Sequence, residues 1–129
     1  MTIRIPTGVR NEGRAALLTQ GGYYVATGLA PFASRRAFEF VTGPKRDWWL
    51  VQTVGALVTV VGVGLLAGAR RRACGPELIG IAAGSAAALA AIDIVYVAKG
   101  DIAPVYLLDA ALELAFLGAL ARRENPAPA

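Results

Sequence analysis

Residues 51–69 form an unbroken run without a single charge, in which only Gln52, Thr53 and Thr59 are polar. Wound into an α-helix at about 1.5 Å per residue, a run of that length crosses a hydrocarbon layer ~30 Å thick. Three more runs resemble it. Residues 15–33 carry no charge, 78–98 carry only Asp93, and 102–121 carry only Asp109 and Glu113. A soluble helical bundle of this length needs charged outer faces along each helix, and these runs do not supply them. The expectation is an all-α integral membrane four-helix bundle with antiparallel up-down topology. It forms one domain over 1–129, with spans at about 15–33, 50–69, 78–98 and 102–121.

Composition narrows the chemistry. At 56% hydrophobic and 17% charged, the chain has too much to bury to be disordered. Cys74 is the single cysteine, so no disulfide scaffold is available. Histidine is absent, which removes the commonest metal ligand and general base, and with them Ser-His-Asp and Cys-His catalysis. There is no phosphate-binding loop, no thiol pair and no calcium loop, so no metal is expected and no cofactor is assigned.

The ends of the runs carry helix punctuation. Asp47 is placed to cap the second helix, with Trp48 and Trp49 following at interface depth. Gly75-Pro76-Glu77 starts the third, with proline in a first turn that tolerates it. Lys99-Gly100-Asp101 reads as a tight turn, with Gly100 ending helix three and Asp101 capping helix four. The last two helices then form an antiparallel hairpin. The proline-containing stretch 124–129 reads as a disordered tail. Residues 1–12 are too short and too polar for a signal peptide.

Basic residues orient the spans. One side collects Arg4, Arg10, Arg14, Arg70, Arg71, Arg72, Arg122 and Arg123, and the other Arg35, Arg36, Lys45, Arg46 and Lys99. The richer side is cytoplasmic by the positive-inside rule, which puts both termini in the cytoplasm of a multi-pass protein of the bacterial inner membrane. The net charge of +4 and pI near 9.7 then follow from residues that fix topology beside the bilayer, and nucleic acid is not expected as a partner.

The connection at about 34–49 interleaves Phe38, Phe40, Trp48 and Trp49 with Arg35, Arg36, Glu39, Lys45 and Arg46. It is expected to lie on the headgroups as an interfacial anchor. The alternative is a lid over the bundle, turning at Thr42-Gly43-Pro44.

Each span has a polar stripe at helical spacing. These are Gln20, Tyr24 and Thr27; Gln52, Gly55, Thr59 and Gly62; Asp93 and Tyr96; and Tyr106, Asp109 and Glu113. Lipid penalises polar side chains, so the stripes should face inward. Asp93 and Asp109 lie equally far from the third turn, roughly 9–12 Å below the outer surface, with Glu113 about one turn deeper. The expected ligand-binding set is therefore Gln20, Tyr24, Gln52, Asp93, Tyr96, Tyr106, Asp109 and Glu113, converging on an acidic cavity in the outer half of the bundle. Three buried acids without a basic partner are costly. Some are protonated, or a cation enters, or Arg35, Arg36 or Arg46 folds in from the connection; the bland alternative is neutral carboxyls acting as packing glue.

Two small-residue motifs, Gly64/Gly68 and Gly80/Gly84 continued by Ala88, permit close backbone approach, within the chain or in a homodimer. Gly21-Gly22 suggests a kink or a tight contact. Cys74, beside three arginines, reads as incidental.

The layout resembles the DoxX-like group of small bacterial four-helix membrane proteins. The similar stretches are Gly28-Leu29-Ala30-Pro31, Val54-Gly55-Ala56-Leu57 with Val61-Gly62-Val63-Gly64-Leu65-Leu66, and Leu108-Asp109-Ala110-Ala111-Leu112-Glu113-Leu114. Together they touch most of the chain. The segment from Phe38 to Leu50 is more particular and suggests a distinct subgroup. The resemblance implies an accessory subunit of a respiratory or redox complex, and it brings no catalytic residue to carry over.

Three functions follow as expectations. The first is a membrane protein binding a small lipophilic or cationic ligand, or serving as an accessory subunit. The second is an enzyme using Asp93, Asp109 or Glu113 as general acid and base on a lipid-phase substrate. The third is an oligomeric proton or cation path.

Overall fold

The computed structural model describes residues 7–71 and 75–124, with side chains over 13–71 and 75–122. Arg4, Arg72, Cys74 and the tail at 125–129 lie outside the described residues, as do the side chains of Arg10 and Arg123. The described residues form five helices and no strand: α1 (Thr7–Ala33), α2 (Arg35–Thr42), α3 (Trp48–Arg70), α4 (Pro76–Ala98) and α5 (Tyr106–Glu124).

Two of these, α3 and α4, are long and apolar enough to cross a membrane, each with a mean hydropathy of 2.1 over its best window. Little of either window is buried inside the chain. Their outer faces present Leu57, Val60, Val63, Ile81 and Ile92. The polar residues of α1 and the charges of α5 lower the hydropathy of those two helices. Gln20, Tyr23 and Tyr24 on α1, and Asp109 and Glu113 on α5, are directed largely at one another.

The tightest seam runs between α1 and α3. Gly21 meets Gly62, Gly28 meets Gly55, and Arg14 Nε donates to the Ala69 carbonyl at 2.9 Å. The partners step by seven residues in opposite directions on the two helices, so α1 and α3 are antiparallel and in a fixed register. A methyl group built on Gly28 would stand 2.6 Å from the Gly55 carbonyl oxygen, and one built on Gly62 would stand 2.8 Å from that of Gly21. Only glycine permits such an approach. Arg14 also fills a carbonyl at the end of α3 that has no partner within the helix, where a positive charge suits the helix dipole.

The hydrophobic core lies at the end where α3 finishes and α4 begins. Leu17, Leu65, Ala82, Ala86 and Leu120 are fully or almost fully buried there, with Ala16, Ala69, Ile79 and Phe116 around them. Ala82, Ala86 and Ala90 repeat every fourth residue and give α4 one flat small-residue face. The same helix turns Gly80 and Gly84 outward, and nothing lies within 4 Å of a methyl built on either, or on Gly64 of α3. Close packing against the described residues is thus absent at these three positions, and on α4 the two glycines stand two residues, or about 200° of rotation, from the buried alanine face.

The helix ends depart from expectation in three places. Helix α1 begins at Thr7, well before residue 15. Helix α5 begins at Tyr106, because Pro104 disfavours helical backbone at Ala103 before it. Asp101 therefore caps nothing; its N–H instead donates to the Tyr96 carbonyl at 2.9 Å behind Gly100, whose φ is +77°. Asp47 occupies the N-cap of α3 without a side-chain capping bond. Gly75 and Pro76 do start α4 as the sequence suggests.

The connection holds a helix. Ser34 closes α1 through its N–H to the Ala30 carbonyl and caps α2 by accepting from the Ala37 N–H at 3.1 Å. Gly43, at φ +91°, ends α2. Glu39 then ties the loop down. It accepts from the Lys45 N–H at 2.6 Å and from Arg35 Nε at 2.9 Å. Arg35 lies 4.9 Å from the centre of the Trp48 ring, which meets Phe38 edge-on.

Candidate functional site

At the end of the molecule opposite the core, the helices part around a cavity of about 510 Å³. Tyr23, Tyr24, Thr27, Gly28 and Pro31 of α1 form one wall, and Val51, Val54 and Val58 of α3 a second. Tyr106, Leu108, Asp109 and Glu113 of α5 form the third, while Phe38, Val41 and Thr42 of α2, with Lys45, lie across the mouth. Most of this lining is apolar. The connection therefore covers the cavity, with Phe40 of α2 turned outward and 90% exposed.

Two tyrosine–carboxyl pairs hold the acidic end. Tyr23 donates its hydroxyl to Asp109 Oδ1 at 2.5 Å. Tyr24 donates to Glu113 Oε1 at 2.7 Å, with Oε2 at 3.2 Å. The tyrosines are consecutive and so diverge by about 100° around α1, while the carboxyls lie one turn apart on one face of α5. Gln20 directs the second pair. Its Nε2 donates to the Tyr24 hydroxyl at 3.1 Å and to the Ala82 carbonyl at 2.9 Å, which leaves the Tyr24 hydrogen for Glu113. Phe116 packs against both tyrosine rings.

Of the eight residues expected to bind ligand, Tyr24, Tyr106, Asp109 and Glu113 line the cavity. Gln20 and Asp93 stand behind the lining. Gln20 is fully buried beside Ala82, and Asp93 is 5% exposed with Asp109 as its carboxyl neighbour. Gln20 Oε1 and Asp93 Oδ2 are both buried without a hydrogen-bond partner. Gln52 is half-buried and outside the lining. Tyr96 is exposed, with Lys99 Nζ 5.3 Å from its ring centre, and takes no part in the cavity.

Tyr23 and Lys45 were not in the expected set. Tyr23 and Thr27 form an i, i+4 stripe of their own beside Tyr24, the signal that points to Tyr23. Lys45 reaches the mouth from the loop, where Nζ donates to the Thr42 carbonyl at 2.9 Å and stands 5.1 Å from the Tyr106 ring centre. None of Arg35, Arg36 and Arg46 folds in to the acids. Arg35 pairs with Glu39, the one ion pair among the described residues, and Arg36 and Arg46 are exposed. Glu39 is held below the usual carboxylate range, first by the Lys45 N–H and then by Arg35.

The chemistry on offer is hydrogen-bond acceptance in an apolar enclosure. Two carboxyl groups face the cavity, each already holding one hydroxyl donor. Among the described residues no group of three His, Cys, Asp or Glu side chains is arranged to hold a metal ion. No family model matches the chain, and no characterised protein and no solved structure matches it.

Proposed function

We propose that this chain is a small integral membrane protein, a four-helix bundle of α1, α3, α4 and α5 with both ends cytoplasmic, that binds a small lipophilic ligand in the cavity beneath α2. A bacterial inner membrane suits the distribution of its basic residues. The observation that carries the binding reading is the cavity itself: an apolar chamber of about 510 Å³ ending in two tyrosine-bound carboxyls. Chambers of this size and character hold small ligands. The membrane reading is supported by the apolar outer faces of α3 and α4, which water would leave unfavourably exposed. It is supported as well by the polar groups of α1 and α5, which turn toward each other. We propose membership of the DoxX-like group on the same footing, as a small helical membrane protein serving a larger complex.

Native mass spectrometry of detergent-purified protein tests the binding reading. Wild type should retain hydrophobic molecules through purification, and Val58→Trp, which fills the chamber from the α3 wall, should not. Equal occupancy in both overturns it. A second reading is a homodimer through the outer faces of α3 and α4, favoured by Gly64, Gly80 and Gly84, at which an added methyl meets none of the described residues within 4 Å. Loss of a dimer on Gly84→Leu would support it.

A further inference from the structure

The cavity is closed below by the core and covered above by α2, but it has a side. Helices α3 and α5 both line it, with α1 packed against each of them and Leu89 of α4 among the lining, and the two make little contact with one another, which leaves a gap between them. Leu50 and Val54 of α3 and Leu108 of α5 border the cavity and are 44%, 53% and 67% exposed. In a bilayer that gap opens onto acyl chains, so the ligand has a lateral way in.

The inner end specifies what enters. Each tyrosine hydroxyl has one hydrogen, and both hydrogens are already given to carboxyl oxygens. Asp109 and Glu113 have further acceptor positions, and beside them Asp93 is 5% exposed with an Oδ2 that no donor reaches. The single basic side chain on the lining, Lys45, is occupied by the Thr42 carbonyl and the Tyr106 ring, and forms no ion pair with any of the acids. With its carboxyls ionised, the site is thus rich in acceptors and poor in free donors. Its aromatic wall, Tyr23, Tyr106 and Phe38, is of the kind on which a cation rests, as Lys45 does. An ammonium group brings three donors and a positive charge to this end; an alcohol brings one donor, and a carboxylate brings none.

Resting on the ligand-binding reading above, we infer that the ligand is an amphiphile with an ammonium head and an alkyl chain. It slides in between α3 and α5, seats its head on Asp109 and leaves its chain along Val54 and Leu108. The ammonium belongs either to a free long-chain amine or to the headgroup of an aminolipid. The two sources differ at Lys45. A phosphate trailing the ammonium pairs with that side chain at the mouth, whereas a free amine has nothing there for Lys45 to hold.

The test is the melting temperature of protein purified in a nonionic maltoside detergent. Dodecylamine, dodecanol and dodecanoate are added at equal mole fraction near pH 7. Dodecylamine at roughly tenfold above its dissociation constant should raise the melting temperature by about 3–6 °C. Dodecanol should raise it less and dodecanoate not at all. Asp109→Asn keeps an acceptor for Tyr23; it should still fold and still respond to dodecanol, yet lose the extra response to the amine. Val54→Trp, placed in the gap, should abolish all responses, and Ile81→Trp, on the outward face of α4, should change none. Lysophosphatidylethanolamine with Lys45→Met separates the sources. A lysophosphatidylethanolamine response that exceeds the dodecylamine response and is weakened several-fold by Lys45→Met identifies the aminolipid, and a dodecylamine response that exceeds a lysophosphatidylethanolamine response unaffected by Lys45→Met identifies the free amine. Equal responses to amine and alcohol in the wild type, or an undiminished amine response in Asp109→Asn, overturn the ammonium assignment and leave a lipophile site. No response to any of the compounds overturns the binding reading with it.

Discussion

Gly28 and Gly55 stand backbone to backbone across the α1/α3 seam, each within reach of the other's carbonyl oxygen: a methyl on the first would lie 2.6 Å from it, and a methyl on the second 2.5 Å. One heptad away, Gly21 and Gly62 repeat the arrangement. The seam is therefore set by backbone, which cannot yield as a flexible side chain would.

Substitutions along α1 and α3 should separate by position. Gly28→Ala and Gly55→Ala force the two helices apart and should lower stability by about 1–3 kcal/mol. Gly22→Ala meets nothing within 4 Å and should raise it by about 0.5–1 kcal/mol through helix propensity alone. Thermal or denaturant unfolding in detergent reads the sign directly. A destabilising Gly22→Ala, or a neutral Gly28→Ala, contradicts the seam.

Removing the Tyr24 hydroxyl leaves Glu113, which is fully buried, without its tyrosine donor. Tyr24→Phe should therefore cost about 1–3 kcal/mol. Tyr23→Phe should cost less, since Asp109 is only half-buried whereas Glu113 is fully buried. A double-mutant cycle of Tyr24→Phe with Glu113→Gln should return a coupling of about 0.5–3 kcal/mol. A coupling near zero would mean that the hydrogen bond contributes nothing.

The loop around Glu39 should be the acid-sensitive part of the covering helix. Its carboxyl is held below the ordinary value by the Lys45 N–H and Arg35, so its contribution is present above the unfolded value of about 4.3 and is lost as pH falls through the lower folded value. In a Trp49→Phe background, the emission of Trp48, which packs on Phe38 and Arg35, should shift to the red as pH drops below about 4. Glu39→Gln should show the shifted emission already at pH 7, with no transition on acidification. The same transition in Glu39→Gln as in wild type would assign it elsewhere.

Membrane topology has a direct readout. A reporter active only in the cytoplasm should work when fused at Ala129 and stay silent when inserted at Gly100. The reverse pattern inverts the proposed orientation.

Periodicity in the sequence exposed the acidic end of the molecule well. Asp93 and Asp109 flank the last turn symmetrically, and Gln20, Tyr24 and Glu113 are found in hydrogen-bonded company as their helical spacing suggests. Spacing says less about which helix a face will meet. Gly80 and Gly84 match a packing motif and are turned outward, while Gly21 makes the tight contact that the Gly21-Gly22 pair suggests, against Gly62, and Gly28, seven residues on, faces Gly55. A motif four residues long fits many partners, whereas the complementary seven-residue steps on two helices appear only when both are set side by side. The short helix α2 was signalled by Ser34 before it and Gly43-Pro44 after it, but the surrounding aromatics and arginines read equally well as a surface strip. Gln52 and Tyr96 show the other limit: near a span end, a polar residue satisfies a stripe without needing the interior.

The glycine seam bears on motion. Because its contacts recur every seven residues on both helices, α1 can engage α3 only at discrete settings, as a gear does, and a slip of one tooth would carry it about 10 Å along its axis. Rotation is blocked as well, since Tyr23 and Tyr24 lock different flanks of α1 to α5. Helix α1 is accordingly the fixed post of the molecule. Under the binding proposal, any opening that admits a ligand falls to the parts that the post does not hold: helix α2 between Ser34 and Gly43, and the facing edges of α3 and α5.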